Sequence, residues 1–218
     1  MTEIVPSINC APGELSCVTN KVRAAERFTT WVHLDIADGI FTHHRSWNEP
    51  GRWRDLETDL NLEVHLMVAE AGKEIGKWLW AGARRVIVHV ETMVNPEQDA
   101  MKLLATCASH GAELVLSSNP ETPAAKLLPF LSKFSAFHCL AVHPGPSGQS
   151  FLPLVLEKVK WLRQEAPDKS IEVDGGLGPT TTRRVIDAGA DRLVFGAYIW
   201  NRPDPAVAYK ELQIAVDM

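Results

Sequence analysis

Eight short runs rich in β-branched and apolar residues, recurring at intervals of roughly 20 to 30 residues, constrain the fold of this chain more than any other feature. They are EIVPSIN (3–9), WVHLDIA (31–37), LEVHLMV (62–68), RVIVHVE (85–91), ELVLSSN (113–119), FHCLAVH (137–143), SIEVDG (170–175) and RLVFGAY (192–198). Helical patterns lie between them, over 96–111, 152–166 and 179–190 among others, and several open with proline and close near glycine or alanine. The segments AGAR (81–84), HGAE (110–113) and AGAD (188–191) each lead into a strand, as helix caps do in a repeated βα unit. Eight such units predict a (β/α)8 TIM barrel with a closed parallel sheet, and 218 residues suffice for one barrel domain spanning 1–218. An open doubly wound sheet would carry a glycine fingerprint after its first strand, and APGELS (11–16) is not one.

With 45% apolar residues the chain can bury a large core. Its net charge of −5 comes from interleaved acids and bases without a basic run, so nucleic acid is not an expected partner. The opening MTEIVPSINC matches no signal or transit peptide, and no run reaches the roughly 18 apolar residues of a membrane span. A cytoplasmic protein that does not enter the membrane is expected. Cys10, Cys17, Cys107 and Cys139 lack CxxC spacing and are expected to be reduced thiols.

In such a barrel, chemistry gathers at the C-terminal ends of the strands. Ser7 and Asn9 end the first run, His33 and Asp35 the second, His65 the third, His143 the sixth and Asp174 the seventh. His33 and Asp35 stand two apart on a strand and so share a face. Carboxylates converging at one barrel mouth repel each other unless a cation or protons compensate. His33, Asp35, His65 and Asp174 form an N2O2 set suited to one divalent ion, such as Zn, Fe, Mn or Co. Taken singly, His89 and His138 read as hydrogen-bonded core histidines, Asp38 as a brace for its own loop and Asp174 as a turn cap. The glycine-rich segments 143–151, 173–179 and 195–198 can aim backbone N–H groups at an anion, which places a phosphate opposite the metal.

VPSINC, HLDIADG, VHLMV, HVE, HPGPSGQSF, IEVDGG and AGADRLVFGAYI, in this order, make the chain resemble the ribulose-phosphate 3-epimerases over almost its whole length. The resemblance implies that His33, Asp35, His65 and Asp174 bind a catalytic divalent metal. It also implies that Asp35 and Asp174 form the acid/base pair on opposite faces of a sugar phosphate. Ser7, His65 and Met67 then meet the substrate, and Gly145, Pro146, Ser147, Gly148, Gly175, Gly176, Gly196 and Ala197 its phosphate end. The implied reaction interconverts D-ribulose 5-phosphate and D-xylulose 5-phosphate, the work of an isomerase of the pentose phosphate pathway.

The chain departs from the family pattern at several positions. Ala37 and Leu140 stand at methionine positions, His143 at an asparagine, Gly145 to Gly148 read GPSG for GFGG, and Ala197 replaces a serine. The loop 40–50 also differs, and Trp47 and Trp53 are candidates to cover the pocket or to meet a partner. These departures leave three rivals. One is a 3-epimerase of another ketose phosphate, such as a hexulose 6-phosphate. A second is a non-catalytic phosphosugar-binding barrel. The third, a synthase or decarboxylase, needs an Asp-x-Lys-x-x-Asp strand pattern that HLDIADG lacks. A homo-oligomer is compatible with a barrel of this size, although no surface stretch marks an interface.

Overall fold

The computed structural model describes residues 2–217, in which eight strands close in sequential order into an all-parallel barrel. The strands are β1 (Glu3–Ile8), β2 (Trp31–Ala37), β3 (Asn61–Met67), β4 (Ala83–His89), β5 (Glu113–Ser118), β6 (Ala136–Leu140), β7 (Ser170–Asp174) and β8 (Arg192–Phe195). The helices around them are α1 (Leu15–Ala25), α2 (Pro50–Arg54), α3 (Ala71–Trp80), α4 (Pro96–Ser109), α5 (Val155–Glu165), α6 (Pro179–Ala188), α7 (Ala197–Trp200) and α8 (Pro205–Asp217). After β5 the connection is a 3-10 segment, Ala124–Phe130, where Pro129 removes a donor that an α-helix would use. The sequence pattern therefore locates every strand and the three helices it singled out.

Alternation explains the layering. Val32, Leu34 and Ile36 of β2, Leu62, Val64 and Leu66 of β3, and Ile171 and Val173 of β7 belong to the main core between sheet and helices. The helices close this layer with residues at helical spacing, such as Val155, Val159 and Leu162 of α5. The alternate positions point into the barrel. A small apolar cluster of Ile87, Val115 and Ala136 packs there, and the buried polar residues His33, Glu63, His65, Arg85, His89, His138, Glu172 and Arg192 occupy other inward positions.

The strand ends differ from the pattern at three places. β6 stops at Leu140, so His143 lies in the following loop instead of ending the strand. There the Ala141 N–H bonds the Asp174 carbonyl at 2.6 Å and its carbonyl accepts from Leu152 at 2.8 Å, which turns the chain out of the sheet. β4 gives way after His89 to a 3-10 turn, Val90–Thr92. β8 passes through Gly196 directly into α7, so Tyr198 is helical. The AGAD segment behaves as expected: α6 ends at Gly189, whose φ of 114° favours glycine.

The cysteine expectation is corrected. Cys10 and Cys17 form a disulfide, because the loop from β1 into α1 brings their Cα atoms to 6.1 Å. Cys107 and Cys139 are free and buried. No helix among the described residues is long and apolar enough to cross a membrane.

Candidate active site

The parallel register places Asp35 beside His65 and His33 beside Glu63, so β2 and β3 present two polar layers to the barrel axis. In the upper layer His33 Nε2 lies 3.2 Å and His65 Nδ1 3.1 Å from Asp35 Oδ1. Both nitrogens lie 3.7 Å from Asp174 Oδ2, which arrives from β7. All four ligand atoms fall within 4.8 Å of one another. A tetrahedron with metal–ligand arms of 2.0–2.1 Å has edges of about 3.3 Å, so the donor set fits one divalent cation in type and in spacing.

The remaining imidazole nitrogens are held from behind. His33 Nδ1 lies 2.7 Å from Glu63 Oε1. Glu63 Oε2 in turn sits 3.1 Å from Arg85 Nε and 3.3 Å from Arg192 Nε. Glu172 Oε2 completes this lower layer, 3.3 Å from Arg85 Nη2 and 3.1 Å from Arg192 Nε. On the other side His65 Nε2 and His89 Nε2 are 2.8 Å apart, and His89 Nδ1 is 3.3 Å from Glu91 Oε2. When His65 Nδ1 gives its lone pair to a cation, its Nε2–H must donate to His89, whose Nδ1–H donates to Glu91. Glu91 Oε1 accepts from the Asn119 N–H at 2.8 Å and from the Thr122 hydroxyl.

This setting separates the two aspartates. Burial pushes the Asp35 carboxyl up, but His33 and His65 outweigh it and hold Asp35 far below the usual carboxylate range. Asp174 is pushed up to about 6, because burial and the neighbouring Asp35 outweigh the attraction of His33 and His65. Burial lowers His65 to about 3, so its ring is neutral and available as a ligand.

Above these groups opens a cavity of about 270 Å³. Its wall includes Ser7, Asp35, Met67, Gly145, Pro146, Ser147, Gly148, Asp174, Gly175, Gly176, Gly196 and Ala197, all anticipated from the sequence. His33 and His65 are fully buried and lie beneath this wall. Gly176 has a φ of 65°, and a Cβ there would stand 2.2 Å from the Phe151 backbone nitrogen. Only glycine lets the loops after β6 and β7 pass this closely. The Thr42 hydroxyl donates to the Pro144 carbonyl at 2.8 Å, tying the divergent 40–50 loop to the loop after β6.

Several secondary expectations resolve. Trp47 does not cover the pocket: it is fully buried, with its ring 6.3 Å from that of Trp78, and Trp53 is buried as well. His143 reaches the cavity rim with an exposed side chain whose Nδ1 is 3.3 Å from Glu121. Asp38 braces its loop through the N–H groups of Ile40 and Phe41, at 2.7 and 2.9 Å, and also takes that of Ala69. The sequence reading missed Gln149 and Tyr198 in the wall and the lower layer of Glu63, Arg85, Glu172 and Arg192. A signal for that layer was present, because Glu63 and Glu172 stand two residues before His65 and Asp174 and share their face.

The fold and site thus define a barrel enzyme whose carboxylate–imidazole cluster could hold a cation beneath a glycine-lined cavity. The family model described as the ribulose-phosphate 3 epimerase family matches residues 3–200, and the chain belongs to that family. A ribulose-phosphate 3-epimerase of Synechocystis sp. is 34% identical over 212 residues, covering 94% of this chain and 90% of that protein. One from Mycobacterium tuberculosis is 32% identical, covering 87% and 83%. The cytoplasmic isoform from Oryza sativa subsp. japonica is 31% identical, covering 86% and 82%. Among solved structures, a 3-hexulose-6-phosphate synthase from Salmonella typhimurium superposes with a TM-score of 0.74 at 13% identity, covering 99% of this chain and 98% of that one. It shares the fold.

Proposed function

We propose that this chain is a metal-dependent epimerase, one barrel domain that interconverts D-ribulose 5-phosphate and D-xylulose 5-phosphate. The observation that carries the reading is the pair Asp35 and Asp174, meeting at one cavity floor beside His33 and His65. Epimerisation at C3 breaks a C–H bond beside the C2 carbonyl, leaves an enediolate, and returns a proton to the other face of C3. One aspartate removes that proton and the other supplies its replacement, their roles exchanging with the direction of reaction.

His33, Asp35, His65 and Asp174 would hold a Zn, Fe, Mn or Co ion. When bound, the ion supplies a fixed positive charge that favours the negative charge developing on the substrate oxygens. Glu63 and His89 keep the two imidazoles in the ligating orientation. Ser7 and Met67 border the sugar, and the glycine-rich loops after β6, β7 and β8 receive the phosphate. The names of the relatives support the substrate class.

A second reading, a 3-epimerase of a hexulose 6-phosphate, is supported by Leu140, which lines the cavity where the family has methionine. Incubating metal-loaded protein with each ketose phosphate and following the products by NMR separates the two. Xylulose 5-phosphate from ribulose 5-phosphate is the expected product, and conversion of the hexulose phosphate alone would replace the first reading with the second. The rice isoform's description supports a cytoplasmic location, whereas the Cys10–Cys17 disulfide favours an oxidising one. Thiol labelling in acid-quenched cells decides between them.

A further inference from the structure

Among the buried polar atoms around the site, His138 Nε2 has no hydrogen-bond partner. The ring is fully buried in the barrel beside two other imidazoles, tilted against His65 with centroids 4.7 Å apart and near parallel to His33 at 6.2 Å. Its other nitrogen is satisfied: Nδ1 lies 2.8 Å from the hydroxyl of Ser117, the residue paired with it across β5 and β6. A buried polar group left half-satisfied is costly, so the direction in which the free nitrogen points is informative. Nε2 points to Asp174 Oδ2 at 3.7 Å, with Glu172 Oε1 slightly farther at 3.9 Å.

Two features favour one tautomer. A lone pair on Nε2 would be repelled by the carboxylate oxygen in front of it, whereas a proton there is attracted. The Ser117 hydroxyl can rotate to donate to Nδ1, which leaves the single ring proton on Nε2. His138 also lies outside the group of four ligands whose atoms are mutually within reach of one cation, so its ring is free to act as a donor.

We propose that His138 is a positioning residue for Asp174: its Nε2–H, oriented by Ser117, closes by under an ångström onto Oδ2 and fixes that oxygen toward the cation, leaving the other oxygen for the proton at C3. The placement of Nε2 toward Oδ2 is geometric, and the effect of the bond on turnover rests on the epimerase reading. His138 then acts through Asp174 and touches neither substrate nor cation.

The test has two arms. In zinc-loaded wild-type protein labelled with 15N-histidine, long-range 1H–15N NMR reads the tautomer directly: His138 is expected to be protonated at Nε2 and not at Nδ1. A proton on Nδ1 overturns the proposal, whether or not the protein epimerises any sugar. In the second arm, His138→Leu is expected to lower kcat by about 10-fold or more with KM nearly unchanged. His138→Gln, which keeps an N–H donor at similar reach, is expected to recover much of the loss. Wild-type kcat in His138→Leu, or equal losses in both variants, contradicts the proposal. Should His138→Leu fail to fold, Ser117→Ala carries this arm, with a mixed His138 tautomer and a lower kcat expected. An inactive wild-type protein that still shows the Nε2–H tautomer would refute the epimerase reading and leave the hydrogen bond standing.

Discussion

Glu63 Oε1 lies 2.7 Å from His33 Nδ1 in the fully buried interior, and the same carboxylate faces Arg85 and Arg192. The proposed cation site thus stands on an ionic layer inside the barrel. Removing Glu63 leaves two buried guanidinium groups short of one counter-charge, so Glu63→Leu is expected to lose about 3–5 kcal/mol in denaturant unfolding. Glu63→Gln keeps an acceptor for His33 but not the charge. Its cation affinity, measured by chelator competition, is expected to fall roughly 10- to 100-fold.

Asp174→Asn keeps the shape of the side chain and removes its ability to exchange a proton. Epimerisation is expected to fall by about 10²–10⁴-fold while the circular dichroism spectrum and unfolding midpoint stay near wild type. Substantial activity in this variant would remove Asp174 from the acid/base pair.

Gly176→Ala tests the loop closure beneath the proposed phosphate end. The added methyl meets the Phe151 backbone at 2.2 and 2.6 Å on a residue with φ of 65°, so the loops after β6 and β7 must separate. The variant is expected to lose at least about 1 kcal/mol of stability, and its KM should rise more than its kcat falls. Unchanged KM would mean that the phosphate binds elsewhere.

Glu91 contributes to the acid limb of stability. Burial raises its pKa, but His89, the Thr122 hydroxyl and the Asn119 N–H outweigh burial and bring it down from 4.5 to about 2. A folded-state pKa below the unfolded one stabilises the protein above pH 4.5, and this contribution is lost as the pH falls toward 2. Glu91→Gln should therefore show a shallower stability decline between those pH values than wild type; parallel curves would contradict this origin.

The sequence made the barrel legible because each strand alternates: Val32, Leu34 and Ile36 face the helices while His33 and Asp35 face inward. The site was legible for the same reason, since His33, Asp35, His65 and Asp174 are polar residues at the ends of otherwise apolar runs. Glu63, Arg85, Glu172 and Arg192 escaped notice because a charge near the start of a strand reads as solvated, and only barrel closure turns all four toward one axis. The Cys10–Cys17 bond depends on how the chain leaves β1, and the burial of Trp47 on Trp78 depends on a long-range contact. Neither leaves a local pattern.

Proton transfer at C3 by Asp35 and Asp174 is read out by incubating metal-loaded protein with D-ribulose 5-phosphate in deuterated water. Deuterium at C3 together with xylulose 5-phosphate is expected, and formation of the epimer is expected to be lost in Asp174→Asn. No C3 exchange in wild-type protein that demonstrably holds both cation and sugar phosphate would contradict that proton transfer.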